Sequence, residues 1–388
     1  MKSTNIFNAR LERIKSPASV AIADRVRELT DQGQKIMRLQ TGEPYFNTPR
    51  YIIDGTYQAM LDGMTHYSNS QGLSELREAI SKWYQEDYST KVPVQQIMIF
   101  SGAIHALYCT LVSLLNLGDE VIIPEPFWPQ YGDISTLSGA TVKKIDTSSD
   151  NGRLTLTAFE NAISIKTKVL IISNPSNPSG LVYSEAEIEG FIELAIKHGI
   201  YVLVDEVYSR LTYTDKFCSV LSLKNYNRDK DHILYLNSFS KSFAMTGWRV
   251  GFAILPSALI PKALLVSQNT ITHVNSFCQI GAKIAIEGRK KHAGVFDNML
   301  SVYRQRHHKL IMLLREKKMS FLYPEGAFYF FINCGQPSTQ FAMDLLDLEN
   351  IAVVPGIAYG EGFDQYYRIS YAVDQESFDG FIKWLSKC

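Results

Sequence analysis

From about Gln96 the chain alternates between two hydrophobic rhythms. Runs rich in Ile, Val and Leu recur at Ile97–Phe100, Val121–Ile123, Val142–Ile145, Val169–Ile172, Tyr201–Val204 and Ile233–Leu236. Between them, apolar residues recur at helical spacing near Ala103–Leu115, Gln130–Leu137 and Glu185–His198. Strands apolar throughout, separated by helices, predict a mostly parallel sheet covered on both faces. Ligands bind such sheets at the carboxyl ends of the strands, so the residues just after each run are the ones to inspect.

Elsewhere the pattern is looser. Ser16–Pro17 reads as a helix entry, Val20–Leu29 and Ile52–Met60 as helices, and an amphipathic helix begins at Leu73. Leu39–Pro49, with its glycine and two prolines, predicts an extended loop, and Thr65–Gly72 a polar one. After Ala258 helical sequence runs through Lys318, and Val302–Lys309 predicts a solvated basic face. Phe328–Ile332, Ala352–Val354 and Tyr367–Ala372 are strand candidates before a closing helix at Gln375–Trp384. A chain of 388 residues exceeds one compact core. Two domains are expected: 48–285, and a smaller α+β unit of 1–47 with 286–388.

Composition narrows the function classes. Lys+Arg and Asp+Glu balance at 39 each, which gives no global field toward nucleic acid or an anionic membrane. The five cysteines are scattered without CxxC spacing, as expected of a reduced, cytoplasmic protein. No basic start with an apolar core is visible, and no apolar run approaches the ~18 residues of a membrane span.

The strand ends carry the chemistry. Ile97–Phe100 runs into Ser101-Gly102-Ala103 and a helix, which is either a phosphate site or an ordinary turn with Ser101 as N-cap. Val121–Ile123 leads to Phe127 and Trp128 among prolines, either of which could stack on a flat ring. Asn177 lies in S-N-P-S-N-P-S-G after the Val169 run, as a ring-oxygen donor or a turn residue. Asp205 follows four apolar residues, where a carboxylate needs a partner such as a protonated pyridine nitrogen or a local cap. Tyr208, three residues on, could hydrogen-bond the same ring.

Between Ile233–Leu236 and a second run at Val250–Leu255 lies N-S-F-S-K-S-F-A-M-T-G-W-R. An enclosed Lys241 would lose charge and become a nucleophile toward aldehydes, whereas a solvated one would not. Ser238, Ser240 and Arg249 offer a phosphate dianion two hydroxyls and a guanidinium. Together these groups are what a pyridoxal 5'-phosphate site needs.

S-F-S-K-S-F-A-M-T-G-W-R-V-G-F resembles the lysine signature of the fold-type I, class I/II aminotransferases. D-E-V-Y, N-P-S-N-P-S-G and the T-G-E-P loop are similar to the same family in the same order, from about Ser16 past Arg368. The resemblance implies a mostly parallel seven-stranded sheet flanked by helices, and an amino group moved from an L-amino acid to a 2-oxo acid by ping-pong chemistry. It also implies roles. Lys241 would be the Schiff-base lysine and proton shuttle, Asp205 the pyridinium partner, and Asn177 and Tyr208 the phenolate contacts. Trp128 would stack on the ring, with Phe127 as second choice. Ser101, Gly102, Ala103, Ser238 and Arg249 would hold the phosphate. Tyr67 would reach the partner subunit's cofactor in a homodimer with shared active sites. Arg368 would clamp the substrate α-carboxylate, with a backbone contact from Gly42.

The chain departs from the family pattern in two places. Ile104 stands where aspartate-specific relatives carry a lysine, and Tyr45 replaces the aspartate of G-E-P-D-F. An uncharged, even aromatic, side chain on the substrate is therefore expected. A C–S β-lyase on the same fold is the alternative reaction, disfavoured because such enzymes resemble S-K-T-F-N-x-A-G-L rather than M-T-G-W-R. A regulator built on an aminotransferase-like domain would need a DNA-binding module, and residues before the T-G-E-P loop show no basic cluster.

Overall fold

The computed structural model describes residues 10–14 and 18–388; Ser16–Pro17 lies outside them. Seven strands form the large sheet: β1 (Ile97–Phe100), β2 (Glu120–Pro124), β3 (Thr141–Ile145), β4 (Thr167–Ser173), β5 (Tyr201–Asp205), β6 (Ile233–Ser238) and β7 (Gly251–Ile254). Their order across the sheet is β1-β7-β6-β5-β4-β2-β3. The pairs β6–β5, β5–β4, β4–β2 and β2–β3 are parallel, while β7 runs antiparallel to both its neighbours.

The apolar runs follow from two-sided burial. Successive strand side chains alternate between faces, and each face has its own core. Ile97, Ile99, Val202, Val204, Ile233 and Tyr235 enter one; Met98, Phe100, Leu203, Leu234 and Leu236 enter the other. At the sheet edge β3 has one neighbour and carries exposed Thr141 and Lys144.

A separate apolar core gathers the helices Ala18–Asp31, Ala293–Glu316, Ser338–Glu349 and Gln375–Leu385 around an antiparallel sheet. That sheet is ordered Val354–Pro355, Tyr366–Ser370, Tyr329–Asn333, Phe321–Leu322. The single strand expected at Ala352–Val354 divides between two sheets. Ile351–Ala352 pairs in parallel with Met37–Arg38, and Val354–Pro355 joins the four-stranded sheet.

The basic face expected at Val302–Lys309 is only half solvated. Tyr303, Arg306, His307 and Leu310 fall at i, i+3, i+4 and i+7, the buried stripe of their helix. Arg306 Nη1 donates to the carbonyls of Tyr371 (2.8 Å) and Val373 (2.5 Å), and its guanidinium lies 4.8 Å from the Phe378 ring centroid. The His307 Nε2 is 2.8 Å from the Pro324 carbonyl oxygen. Arg304, His308 and Lys309 alone match the solvated reading.

Candidate active site

The carboxyl ends of β4, β5 and β6 open on a cavity of about 360 Å³ between the large sheet and the separate apolar core. Alternation places Asp205 on the Leu203 face, toward this cavity. Its carboxylate is 3% exposed and accepts from the Tyr131 hydroxyl (2.7 Å) and the Val207 N–H (3.1 Å). Burial pushes the Asp205 carboxyl up to about 6, against the pull of those two donors and of Lys241.

Lys241 projects from the short helix Phe239–Ser242, which β6 feeds directly. Its ammonium donates to the Gly42 carbonyl and lies 6.0 Å from the Tyr208 ring centroid and 5.9 Å from that of Phe328. Burial, and then the like charge of Arg368, push the amine down to about 8. A minor fraction of it is then neutral near pH 7, far more than for a solvated lysine, as a nucleophile requires.

A cradle closes one end of the cavity. The helix Gly102–Leu114 begins there, with Ser101 at its N-cap position but making no side-chain cap bond. The Ser101 N–H instead faces His105 Nδ1 at 3.4 Å. Ala103 and Ile104 line the cavity, as do Ser238 and Ser240, whose hydroxyls lie 2.8 Å apart. Arg249 adopts φ +53° and donates from Nη1 to the Thr246 carbonyl at 2.8 Å. Gly102 has φ +78°, and a Cβ there would stand 2.5 Å from Arg249 Nη2. Gly251, opening β7, is as constrained: its Cβ would meet Gly102 C at 2.7 Å and Ala103 N at 2.8 Å. Both glycines let backbone and guanidinium converge on one spot.

At the other end lies Arg368, in the strand Tyr366–Ser370. It is 5% exposed, donates from Nη2 to the Gln40 carbonyl and from Nη1 to Asn177 Oδ1 (3.3 Å), and stacks 4.5 Å from the Tyr329 ring centroid. Its Nε is buried without a partner. The Tyr208 and Tyr329 hydroxyls are 2.8 Å apart above the floor. Among the described residues, Lys241, Arg249 and Arg368 line the cavity with no carboxylate at ion-pair distance.

Most residues singled out from the sequence meet here: Gly42, Ala103, Trp128, Asn177, Asp205, Tyr208, Ser238, Lys241, Arg249 and Arg368 line this one cavity, with Ser101 and Gly102 at its helix end. Trp128 faces the cavity, whereas Phe127 is turned into the core beside Ile123 and Tyr131. Tyr67 lies elsewhere, 89% exposed, with its ring 5.3 Å from that of His273. Tyr131, Ser173, Thr246 and Tyr329 line the cavity without having been singled out. Tyr131 carries the one available signal, since it follows the F-W-P-Q turn by a single residue.

The groups present fit pyridoxal 5'-phosphate. A guanidinium, two hydroxyls and a helix N-terminus suit its phosphate; a buried carboxylate suits its ring nitrogen; Trp128 suits its ring face and Lys241 its aldehyde. The Arg368 Nε adds a buried donor without a partner beside them.

The sequence profile "Aminotransferase class I and II" matches residues 34–385. An aspartate aminotransferase of Thermotoga maritima is 32% identical over 374 residues, covering 96% of each chain. A (5-formylfuran-3-yl)methyl phosphate transaminase of Methanocaldococcus jannaschii is also 32% identical, over 372 residues and 96% of each chain. A solved Thermus thermophilus aspartate aminotransferase mutant superposes with a TM-score of 0.92 at 28% identity, covering 98% of this chain and 99% of its own. Fold and site together define a pyridoxal-phosphate-dependent transferase of amino groups. The chain belongs to the class I and II aminotransferases.

Proposed function

We propose that this aminotransferase works with Lys241 as the covalent anchor and proton carrier, and that its amino donor has an uncharged side chain. The observation that carries the proposal is the setting of Lys241. A partly neutral amine leans on one backbone carbonyl, in a single cavity with a buried carboxylate and a buried guanidinium. The bound cofactor supplies an electron-withdrawing ring that acidifies the substrate α-carbon. Asp205 would hold a proton on the ring nitrogen, and Asn177 and Tyr208 would bind the ring oxygen. Trp128 covers the ring face. Gly102, Ala103, Ser101, Ser238 and Arg249 bind the phosphate. Arg368 orients the substrate through its carboxylate, beside the Gly42 backbone, so that the α-proton faces Lys241 Nζ. Lys241 Nζ would carry the substrate α-proton during amino-group transfer, and the same residues would serve a 2-oxo acid in the second half-reaction.

The uncharged donor follows from the cations. Each of the three cations lining the cavity already has a task in this scheme, and Ile104, at 37% exposure, adds only apolar surface. A distal carboxylate would be buried without a partner. Relatives of equal identity bear different substrate names, so the pocket is the better guide.

Tyr67, together with exposed Ile53, Tyr57, Met60 and Leu61, supports a homodimer in which Tyr67 serves the partner's cofactor. We assign 48–285 to a cofactor domain and the remainder to a small domain, and place the protein in the cytoplasm. Among the described residues no helix is long and apolar enough to cross a membrane.

A panel of L-amino acids, each mixed with the cofactor-loaded enzyme without oxo acid, tests the proposal. Aromatic or aliphatic donors should convert the cofactor to its pyridoxamine form, and aspartate should do so far more slowly. Fastest conversion by aspartate would overturn the donor assignment. Catalytic release of ammonia without an acceptor would overturn transamination as the main reaction.

A further inference from the structure

The face of the sheet turned away from the cavity carries an unusual number of polar groups. Alternation that sends Asp205 and Ser238 toward the cavity sends Glu206, Tyr235 and Asn237 the other way, into an otherwise apolar core. Glu206 is 0% exposed and Asn237 1%. The Glu206 carboxyl accepts from the Ser219 hydroxyl (2.7 Å) and the Val220 N–H (2.7 Å), with the Tyr235 hydroxyl beside it. The Tyr235 hydroxyl lies 2.5 Å from that of Tyr84. Asn237 Nδ2 donates to the hydroxyls of Tyr235 (2.7 Å), Tyr84 (3.1 Å) and Ser209 (3.4 Å), and Asn237 Oδ1 accepts from the Ser238 N–H (2.7 Å).

All these partners are neutral. Burial pushes the Glu206 carboxyl up to about 8, helped by the neighbouring Asp205 charge. Arg210, the cation of this neighbourhood, is taken by Asp87 at 3.7 Å and by the rings of Trp83, Phe243 and Phe296. Each buried polar atom here would destabilise the core if its partner were lost. What the network joins is specific. Glu206 and Ser209 flank Asp205 and Tyr208 on one strand end, Asn237 precedes Ser238 and the Lys241 turn on the next, and the Glu206 N–H closes on the Leu236 carbonyl (3.0 Å).

We propose that Glu206, Tyr235, Tyr84 and Asn237 are positioning residues that lock the ends of β5 and β6 together. They touch neither substrate nor cofactor and act through Asp205 and the Ser238–Lys241 turn. The inference rests on the cofactor assignment made above.

The test uses the full chain, stripped of cofactor and titrated with pyridoxal 5'-phosphate. Three quantities are followed: affinity, the pH midpoint of the bound cofactor's visible absorbance, and Tm. Glu206→Ala and Asn237→Ala should weaken affinity by about tenfold, the scale of one buried hydrogen bond left half-made. They should also move the absorbance midpoint by about half a unit or more. Glu206→Gln, uncharged and able both to donate and to accept, should stay within about twofold of the parent. Tyr84→Phe, which removes one hydroxyl and little volume, should move both readouts in the same direction by less, and serves where an alanine variant does not fold. Variants that melt earlier yet keep the parental affinity and midpoint would reduce the network to core stability and overturn the inference. A Gln variant as impaired as the Ala one would overturn the hydrogen-bonding role of Glu206. Failure of the parent itself to take up cofactor would instead refute the site assignment.

Discussion

Replacing Asp205 by asparagine should stabilise the cofactor-free protein at alkaline pH while crippling the loaded enzyme. The Asp205 carboxyl rises from its ordinary 3.8 to about 6 on folding, so the folded state binds its proton more tightly than the unfolded chain. Ionising it inside the fold therefore costs stability that begins to accrue near pH 4 and levels off above pH 6. The full cost is about 3 kcal/mol, and about 1.4 kcal/mol of it falls between pH 5 and pH 8. Asparagine removes the charge but meets the Val207 N–H or the Tyr131 hydroxyl with the wrong group, a loss of about 1 kcal/mol that does not depend on pH. Urea unfolding of both proteins at pH 5 and pH 8, at one protein concentration, isolates the charge contribution. The advantage of Asp205→Asn should grow by about 1.4 kcal/mol between the two conditions. With cofactor bound the order should reverse, because in the proposed site the carboxylate would pair with a protonated ring nitrogen. A difference that is flat with pH would refute the claim that burial outweighs the pull of Lys241 on the Asp205 carboxyl.

Three further outcomes are expected. Lys241→Ala should abolish turnover yet still bind cofactor, since the phosphate and ring contacts remain; absorbance titration and steady-state assay separate the two. Arg368→Ala should lower kcat/KM by about 10²-fold or more, as expected when a buried, charge-assisted carboxylate clamp is lost, while cofactor affinity changes little. Gly102→Ala combines a φ of +78° with a Cβ 2.5 Å from Arg249 Nη2, and should weaken cofactor binding by about tenfold or more, read in the same titration.

Much of the site was legible because the fold concentrates chemistry at strand ends, and strand ends are visible where an apolar run stops. Asp205, Asn177 and Lys241 each follow such a run, and all three line the cavity. Tyr131 and Tyr329 were not legible. One sits in a helix and one in a strand, and an aromatic residue there looks like any other core residue until its hydroxyl is placed. The choice between Phe127 and Trp128 was likewise open, because a proline-rich turn has no periodicity to assign directions. Arg306 and His307 misled for the opposite reason: composition marks them as surface, but their i, i+3, i+4 spacing with Tyr303 and Leu310 buries them. The strand expected at Ala352–Val354 came out as two, since nothing in an apolar triplet records a change of sheet.

The convergence of Lys241, Arg249 and Arg368, none of them ion-paired among the described residues, has a practical corollary. Such a mouth attracts any small dianion, so sulfate or inorganic phosphate from a purification buffer should compete with the vitamin and slow reconstitution. The rate of uptake should also fall steeply as ionic strength rises and the Debye length shrinks. Preparations made in a zwitterionic buffer at low salt should load faster than those made in phosphate.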